Sequence, residues 1–125
     1  MENPENISKA DGAEKAGAQA QMRKGVLELC ILSILSQGDA YPTEIIDKLR
    51  DTRLVVVEGT LYPLLTRLKN SGLLGYRWEE STSGPPRKYY KLTEIGEHYL
   101  KELQLSWFEL VDAVNKTIEQ GKKLG

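Results

Sequence analysis

The 125-residue sequence is poor in the side chains that carry most enzyme chemistry, with one histidine, His98, and one cysteine, Cys30. A single cysteine cannot form a disulfide within the chain, and no cysteine–histidine set has the spacing of a zinc site. The sequence also contains no glycine-rich phosphate loop and no nucleophile motif. These absences predict a protein that is not an enzyme and has no metal ion or cofactor.

Long apolar runs are missing as well. No stretch approaches the roughly 20 apolar residues of a membrane span, and the N-terminus has neither the basic nor the apolar region of a signal peptide. We therefore expect a cytoplasmic protein without a membrane partner. Residues 1–21 contain one large aliphatic side chain, Ile7, which buries too little surface to offset the entropy of ordering. This segment is predicted to be a flexible arm.

The two rare side chains each have two interpretations. Cys30 lies in an apolar stretch, residues 24–37, and is either a small core residue or a reactive thiol. The apolar surroundings favour the core residue. His98 lies in the polar stretch GEHYL, which favours a solvated or interface histidine over a ligand or a catalytic base.

Charge is distributed unevenly along the chain. The net charge is −1, yet residues 58–92 carry +3 and residues 93–120 carry −4. A basic middle segment in a chain whose net charge is close to zero is typical of a protein with a polyanion-binding face.

Apolar periodicity and turn residues divide the chain into helices and strands. The predicted helices span residues 24–37, 41–51, 58–72 and 93–119, and the predicted strands span residues 53–57, 73–80 and 87–92. The last two strands form a hairpin whose six-residue loop, STSGPP, is stiffened at its tip by a glycine and two prolines. The predicted fold class is mainly α with a small β-ribbon, namely a winged helix-turn-helix followed by a long C-terminal dimerisation helix. The predicted divisions are an arm (1–21), a winged-helix DNA-binding domain (22–92), a dimerisation helix (93–120) and a tail (121–125).

The predicted helix over residues 58–72 has the two faces of a DNA-reading helix. Its leucines recur at i, i+3, i+4 and i+7 and face inward, while its polar side chains can reach base edges and phosphates in a major groove. Pro63 is tolerated if Thr60 is the N-cap; if the helix begins earlier, Pro63 removes a backbone hydrogen bond or bends the helix. The outward candidates are Thr60, Tyr62, Pro63, Thr66, Arg67, Lys69 and Asn70.

The hairpin supplies a second candidate contact with DNA. Arg87 and Lys88 follow a loop of small polar residues, from which a ribbon can donate hydrogen bonds to backbone phosphates. The alternative is a winged-helix module that binds protein and not nucleic acid. The +3 charge of residues 58–92 favours DNA over this alternative. Trp78, on the other strand of the hairpin, is expected to pack within it.

The last predicted helix carries a near-heptad apolar seam. Its apolar side chains are separated by three or four residues, which is the spacing of a helix that pairs with another helix. The seam consists of Tyr99, Leu103, Trp107, Leu110, Val114 and Ile118.

Two consecutive motifs resemble the PadR family of bacterial transcriptional regulators. They are GTLYPLLTRLKNSGLL, residues 59–74, and GPPRKYYKLTEIG, residues 84–96. Their order and spacing make the resemblance specific, and it extends over about residues 24–118. The single C-terminal helix resembles the subgroup with a small C-terminal region. The sequence differs from the common family pattern at Glu58, at Lys69 and at the Tyr41–Pro42 pair.

The resemblance implies a homodimeric winged-helix repressor that binds a pseudo-palindromic operator in double-stranded DNA. It also implies a small hydrophobic or phenolic effector, and dimerisation through the C-terminal helix. The implied DNA contacts are the outward candidates named above together with Arg87 and Lys88. Tyr89 and Tyr90 would pack the ribbon on the core or touch the DNA backbone.

Trp107 is the main candidate for an effector contact. In the multidrug-binding members that the sequence resembles, an aromatic residue on this helix faces a cavity between the two subunits. Trp107 therefore either stacks on a planar ligand or is an ordinary hydrophobic anchor of the dimer. The dimer and effector candidates are Tyr99, Leu103, Trp107, Leu110 and Val114.

Overall fold

The structure is a computed structural model that describes the backbone of residues 4–124 and the side chains of residues 12–122. Its elements are α1 (Pro4–Ser36), α2 (Pro42–Asp51), α3 (Glu58–Asn70), β1 (Leu74–Ser81), β2 (Gly84–Leu92) and α4 (Glu94–Leu124). The two strands form an antiparallel ribbon. The predicted fold class, mainly α with a small β-ribbon, is confirmed.

Helix α1 is much longer than predicted. The sequence predicted a helix from residue 24 after a flexible arm, but α1 begins at Pro4 and is continuous to Ser36. All described side chains from residue 12 to residue 25 are exposed, so the scarcity of apolar residues did predict the lack of packing. The helix continues because the segment is rich in alanine, glutamate, lysine and glutamine, which favour helix even without burial. Residues 1–3 of the predicted arm lie outside the described residues.

The core lies where the C-terminal half of α1 meets α2, α3, the base of the ribbon and the first turns of α4. Fully buried aliphatic side chains from three helices meet there, each of them contributing roughly 1.5–3 kcal/mol through burial. They are Ile31, Leu32, Ile45, Leu49, Leu61, Leu65 and Leu68. Burial of one face of each helix fixes which residues remain outside.

The segment 53–57 was predicted to be a strand, and this prediction is wrong. Residues 54–57 belong to no helix or strand and have no ladder partner in the described part of the chain. Their side chains nevertheless alternate, since Val56 is buried while Val55 and Val57 are exposed. The place beside β2 is taken instead by Ala40, which forms an antiparallel bridge with Tyr90.

The ribbon is longer and its turn shorter than predicted. Ser81 pairs with Gly84, so the turn consists of Thr82 and Ser83 instead of six residues. Pro85 and Pro86 therefore lie in β2 and do not stiffen the tip. Prolines have no N–H to donate, and these two lie where the register of the ladder shifts, between the pairs Glu79–Arg87 and Ser81–Gly84.

Helix α4 begins as predicted after Thr93. The Thr93 hydroxyl accepts a hydrogen bond from the Gly96 N–H at 3.0 Å and donates to the Gly72 carbonyl at 2.6 Å. Gly96 is required here because a Cβ at this position would collide with the Leu73 carbonyl oxygen. The helix continues to Leu124, so residues 121–124 of the predicted tail are helical, and residue 125 lies outside the described residues.

Candidate nucleic-acid interface

The exposed side of α3 is set by its buried leucines. Because Leu61, Leu65 and Leu68 point into the core, the side chains on the opposite arc face solvent. Thr66 and Asn70 are both exposed on this arc. The nine predicted DNA contacts are all outside the core, and these are Thr60, Tyr62, Pro63, Thr66, Arg67, Lys69, Asn70, Arg87 and Lys88.

The first turn of α3 differs from the favoured prediction. The N-cap is Val57, not Thr60, and the helix starts at Glu58. Pro63 is therefore inside the helix, as in the second interpretation of the sequence. Its missing N–H leaves the Gly59 carbonyl without a donor four residues ahead, and solvent can satisfy that carbonyl because Gly59 is exposed.

The two flanks of α3 face different neighbours. Thr60, Pro63 and Arg67 border a groove whose other wall is α1. There the Arg67 guanidinium donates a hydrogen bond to the Glu28 carboxylate at 2.9 Å. On the other flank, the Lys69 ammonium lies 4.8 Å from the ring centroid of Tyr76 in β1. The exposed arc of α3 thus has a cation on each side.

Lys88 and Lys69 lie on the same face of the ribbon. The Lys88 ammonium is 4.0 Å from the Tyr76 centroid and 5.3 Å from the Tyr90 centroid. Trp78 is the cross-strand partner of Lys88, with its ring centroid 5.8 Å from the ammonium. Trp78 is 64% exposed, so the prediction that it packs within the hairpin is wrong.

Arg87 lies on the opposite face of the ribbon. Its guanidinium is 4.5 Å from the Tyr41 ring, and Tyr41 forms an edge-to-face pair with Tyr89 at 5.3 Å. Attraction to aromatic faces holds a cation without neutralising it. Among the residues whose side chains are described, no carboxylate lies within ion-pair distance of Arg87 or Lys88.

Arg77 is the contrasting cation of the ribbon. Its guanidinium donates a hydrogen bond to the Glu79 carboxylate at 2.8 Å and lies 3.5 Å from the Asp39 carboxylate. The hydrogen bond to Glu79 raises the pKa of Arg77 above its usual range, and the charges of Glu79 and Asp39 add to this. Arg77 is thus compensated within the protein, whereas Arg87 and Lys88 are available to an external anion.

The ribbon and α3 meet in a groove of about 390 Å³. Tyr62 reaches it from α3, and Arg87 and Lys88 reach it from β2. The sequence did not identify Tyr41 and Trp78 as neighbours of these residues, because their approach depends on the packing of α2 and the ribbon. The groove is lined by Tyr41, Pro42, Thr43, Tyr62, Trp78, Pro86, Arg87 and Lys88.

The predicted seam of α4 is divided into two parts. Tyr99 and Leu103 pack against the core of their own chain. Leu110 and Val114 remain exposed, as does Ile118 beyond them. Only the second part of the seam is free for a partner.

Trp107 lies at the boundary between these two parts and is 37% exposed. It borders an apolar groove of about 750 Å³ between α4, the end of α2 and the C-terminal half of α1. Phe108, Leu29, Ile34 and Leu54 supply much of the apolar lining. The groove lies within one chain, whereas the cavity expected from the sequence lies between two subunits.

Cys30 and His98, the two rare side chains, lie in different environments. Cys30 is partly buried and lines the same groove, where burial raises the pKa of its thiol. This environment agrees with a core residue of low reactivity. His98 is exposed near the start of α4.

The sequence profile of the transcriptional regulator PadR-like family matches residues 31–102, more than half of the chain. The chain belongs to the PadR family. The match extends from the C-terminal part of α1 to the first part of α4 and includes α3 and the ribbon. PadR proteins are DNA-binding transcription regulators and not an enzyme family.

Solved structures of other PadR proteins are similar to this chain. A PadR-like transcription factor from Bacteroides fragilis is 62% identical, with 79% of this chain and 96% of that chain covered and a TM-score of 0.68. A PadR regulator from Eggerthella lenta is 34% identical, with coverages of 89% and 97% and a TM-score of 0.82. A PadR-like regulator from Bacillus cereus is 41% identical, with coverages of 78% and 96% and a TM-score of 0.71. These neighbours confirm the winged-helix fold. Among the described residues, no helix is both long and apolar enough to cross a membrane.

Proposed function

We propose that this PadR protein is a dimeric cytoplasmic repressor that binds a pseudo-palindromic operator and is released by a small hydrophobic or phenolic effector. The observation that carries the proposal is the convergence of α3 with two ribbon cations, Arg87 and Lys88, that have no described carboxylate partner. An exposed polar helix face beside uncompensated cations suits the major groove and the phosphates that border it.

The proposed DNA contacts of the α3 side chains differ with their positions on the helix. Thr66 and Asn70, which are exposed opposite the buried leucines, would meet base edges, since hydroxyl and amide groups can both donate and accept. Arg67 and Lys69 on the two flanks are placed to bind phosphates on the two sides of the groove. Thr60, Tyr62 and Pro63 in the first half of the helix would contact the sugar–phosphate backbone. Glu58 at the start of α3 would limit affinity, because a carboxylate near phosphates is repelled.

The ribbon supplies the second contact of each subunit. Arg87 and Lys88 lie on opposite faces of β2 but reach one groove beside α3. One of them can point at a phosphate while the other flanks it. Each phosphate contact releases counterions, so binding should weaken steeply as salt rises.

Dimerisation is proposed to use the exposed part of the α4 seam. Leu110, Val114 and Ile118 are large apolar side chains in solvent along one stripe of the helix. A second copy of this stripe would cover them in a symmetric interface. Two α3 helices in successive major grooves would then be roughly 34 Å apart, which requires two-fold symmetry in the operator.

The proposed effector site is the apolar groove beside Trp107. Its volume of about 750 Å³ suits a small planar molecule, and the indole and the Phe108 ring offer stacking surfaces. Because α4 forms one wall, a bound effector would shift α4 and thereby change the spacing of the two α3 helices. The alternative, in which Trp107 only anchors the dimer, predicts that no aromatic compound quenches its fluorescence saturably.

The decisive experiment is selection of bound duplexes from a random pool, followed by titration of the recovered sequence against salt. We expect a consensus with two-fold symmetry and an affinity that falls steeply with salt concentration. A promoter fused to this consensus should be silenced when the protein is expressed. Failure to enrich any duplex would favour the winged-helix protein-interaction module and overturn the proposal, and an asymmetric consensus would overturn its dimeric part.

A further inference from the structure

Glu28 occupies a junction between three helices. It lies in the C-terminal half of α1 and lines two separate grooves. One groove has α3 as its other wall and includes Thr60, Pro63 and Arg67. The other has α4 as its other wall and includes Leu103 and Trp107. Glu28 therefore lines one groove with the proposed DNA-facing helix and another with the proposed dimer and effector helix.

The contact of Glu28 with α3 is a close ion pair. The Arg67 guanidinium donates to the carboxylate at 2.9 Å. The two partners differ in exposure, since 21% of the Glu28 side chain and 59% of the Arg67 side chain are accessible. Because a guanidinium has five N–H donors in a fixed plane, a carboxylate that engages one edge leaves the other edge pointing outward. Glu28 thus contacts Arg67 from the α1 side.

Glu28 also lies beside α4, since it lines a groove together with Leu103 and Trp107. Burial raises the pKa of the Tyr99 hydroxyl in the first turns of α4, and the negative charge of Glu28 raises the pKa further, while Arg67 lowers it. Tyr99 itself packs against the core, so its ring position follows the position of α4.

We propose that Glu28 is a positioning residue for DNA binding: it orients the Arg67 guanidinium toward a backbone phosphate, and its place against α4 makes that orientation depend on α4. The inference rests on the proposed function, because it assigns Arg67 to a phosphate. Nothing in the family resemblance assigns a role to Glu28. Through Glu28, a shift of α4 would reach the DNA interface within one chain.

The sign of the effect separates this proposal from simple electrostatics. A carboxylate close to DNA repels phosphates, so removing it should tighten binding if repulsion were its whole effect. If Glu28 instead holds Arg67 in place, removing it frees the side chain to adopt many conformations, and binding must restrict them again. Binding then weakens although a negative charge has been lost.

The test is a double-mutant cycle of Glu28→Ala and Arg67→Ala on the full chain, measured with the duplex recovered by selection. We expect Glu28→Ala to weaken binding about fivefold, which is the upper end of the range for loss of one partly exposed ion pair. Glu28→Gln should weaken it less, because its amide oxygen still accepts from Arg67. In the Arg67→Ala background, Glu28→Ala should cause no further loss. Glu14→Ala, on the exposed half of α1, is the control for the same change of charge.

The dependence on α4 is tested by Tyr99→Phe, which keeps the ring and removes the hydroxyl. We expect a loss of about twofold in DNA affinity that disappears in the Glu28→Ala background. Thermal unfolding of each variant checks that the fold persists; if Glu28→Ala does not fold, Glu28→Gln is used in its place in both cycles.

Several outcomes would overturn the inference. One is tighter or unchanged DNA binding by Glu28→Ala, and another is an equal loss with and without Arg67. An unchanged affinity of Tyr99→Phe would contradict the link to α4. Binding of the wild-type chain to no duplex at all would overturn the proposed function and this inference together, whereas normal wild-type binding with an absent coupling would overturn the inference alone.

Discussion

Ala40 and Tyr90 exchange two backbone hydrogen bonds, from the Ala40 N–H to the Tyr90 carbonyl at 3.1 Å and from the Tyr90 N–H to the Ala40 carbonyl at 2.9 Å. This bridge joins the segment before α2 to the middle of β2. Both residues are buried, so the base of the ribbon belongs to the core. The ribbon is therefore held at a fixed place beside α3, which a hairpin on a flexible linker would not be.

Tyr90 should be the ribbon residue on which stability depends most. It is 3% exposed, and Tyr90→Ala should lower the free energy of unfolding by about 3–5 kcal/mol because it leaves a large cavity. The matched control is Tyr62→Ala, which removes the same atoms from an exposed position on α3 and should cost less than about 0.5 kcal/mol. Urea denaturation measures both, and equal losses would contradict the assigned burial.

The ribbon cations should matter for DNA and not for folding. Replacing Arg87 and Lys88 with alanine should weaken duplex binding and reduce the slope of log affinity against log salt by up to about 1.8, or about 0.9 for each lost phosphate contact. Anisotropy titrations at several salt concentrations measure both quantities. Lys101→Ala with Lys122→Ala on α4 is the control for an equal change of charge. An unchanged affinity and slope would remove the ribbon from the interface.

The exposed end of the seam should control oligomeric state. Leu110→Glu together with Val114→Glu should convert the proposed dimer to a monomer, because two like charges would be buried in each half of the interface. Sedimentation equilibrium measures the mass. Leu105→Glu is the control, since Leu105 is equally exposed on α4 but lies off the seam. A monomeric wild-type protein, or a variant that remains dimeric, would contradict this assignment.

Cys30 should react slowly near neutral pH. Burial raises the pKa of its thiol, so at any pH below the raised value less of it is thiolate than in a free cysteine. Alkylation by iodoacetamide, followed by mass spectrometry, should therefore be slower than for glutathione at pH 7.5 and should accelerate as pH rises. Urea should abolish the difference. Equal rates in the folded protein and in glutathione would show that the thiol is neither desolvated nor shielded.

Much of the fold follows from local sequence pattern. The leucine spacing of α3 and the capping role of Thr93 are read directly from neighbouring residues, and the structure confirms both. The errors lie where local signals compete. Residues 53–57 are rich in valine, which favours strand, but the edge beside β2 is already occupied by Ala40. The arm was predicted from its lack of apolar residues, whereas helix propensity alone is enough to extend α1 back to Pro4.

Periodicity and charge are properties of the chain, so the winged-helix pattern, the outward side of α3 and the concentration of cations in residues 58–92 follow from the sequence alone. Tertiary packing sets which of these cations have a carboxylate partner. Arg77 meets Glu79 and Asp39, and Arg67 meets Glu28 from 39 residues away, whereas Arg87 and Lys88 meet aromatic rings. Ion pairs and cation–aromatic contacts act over a few ångströms, so their partners are fixed by packing and not by position along the chain.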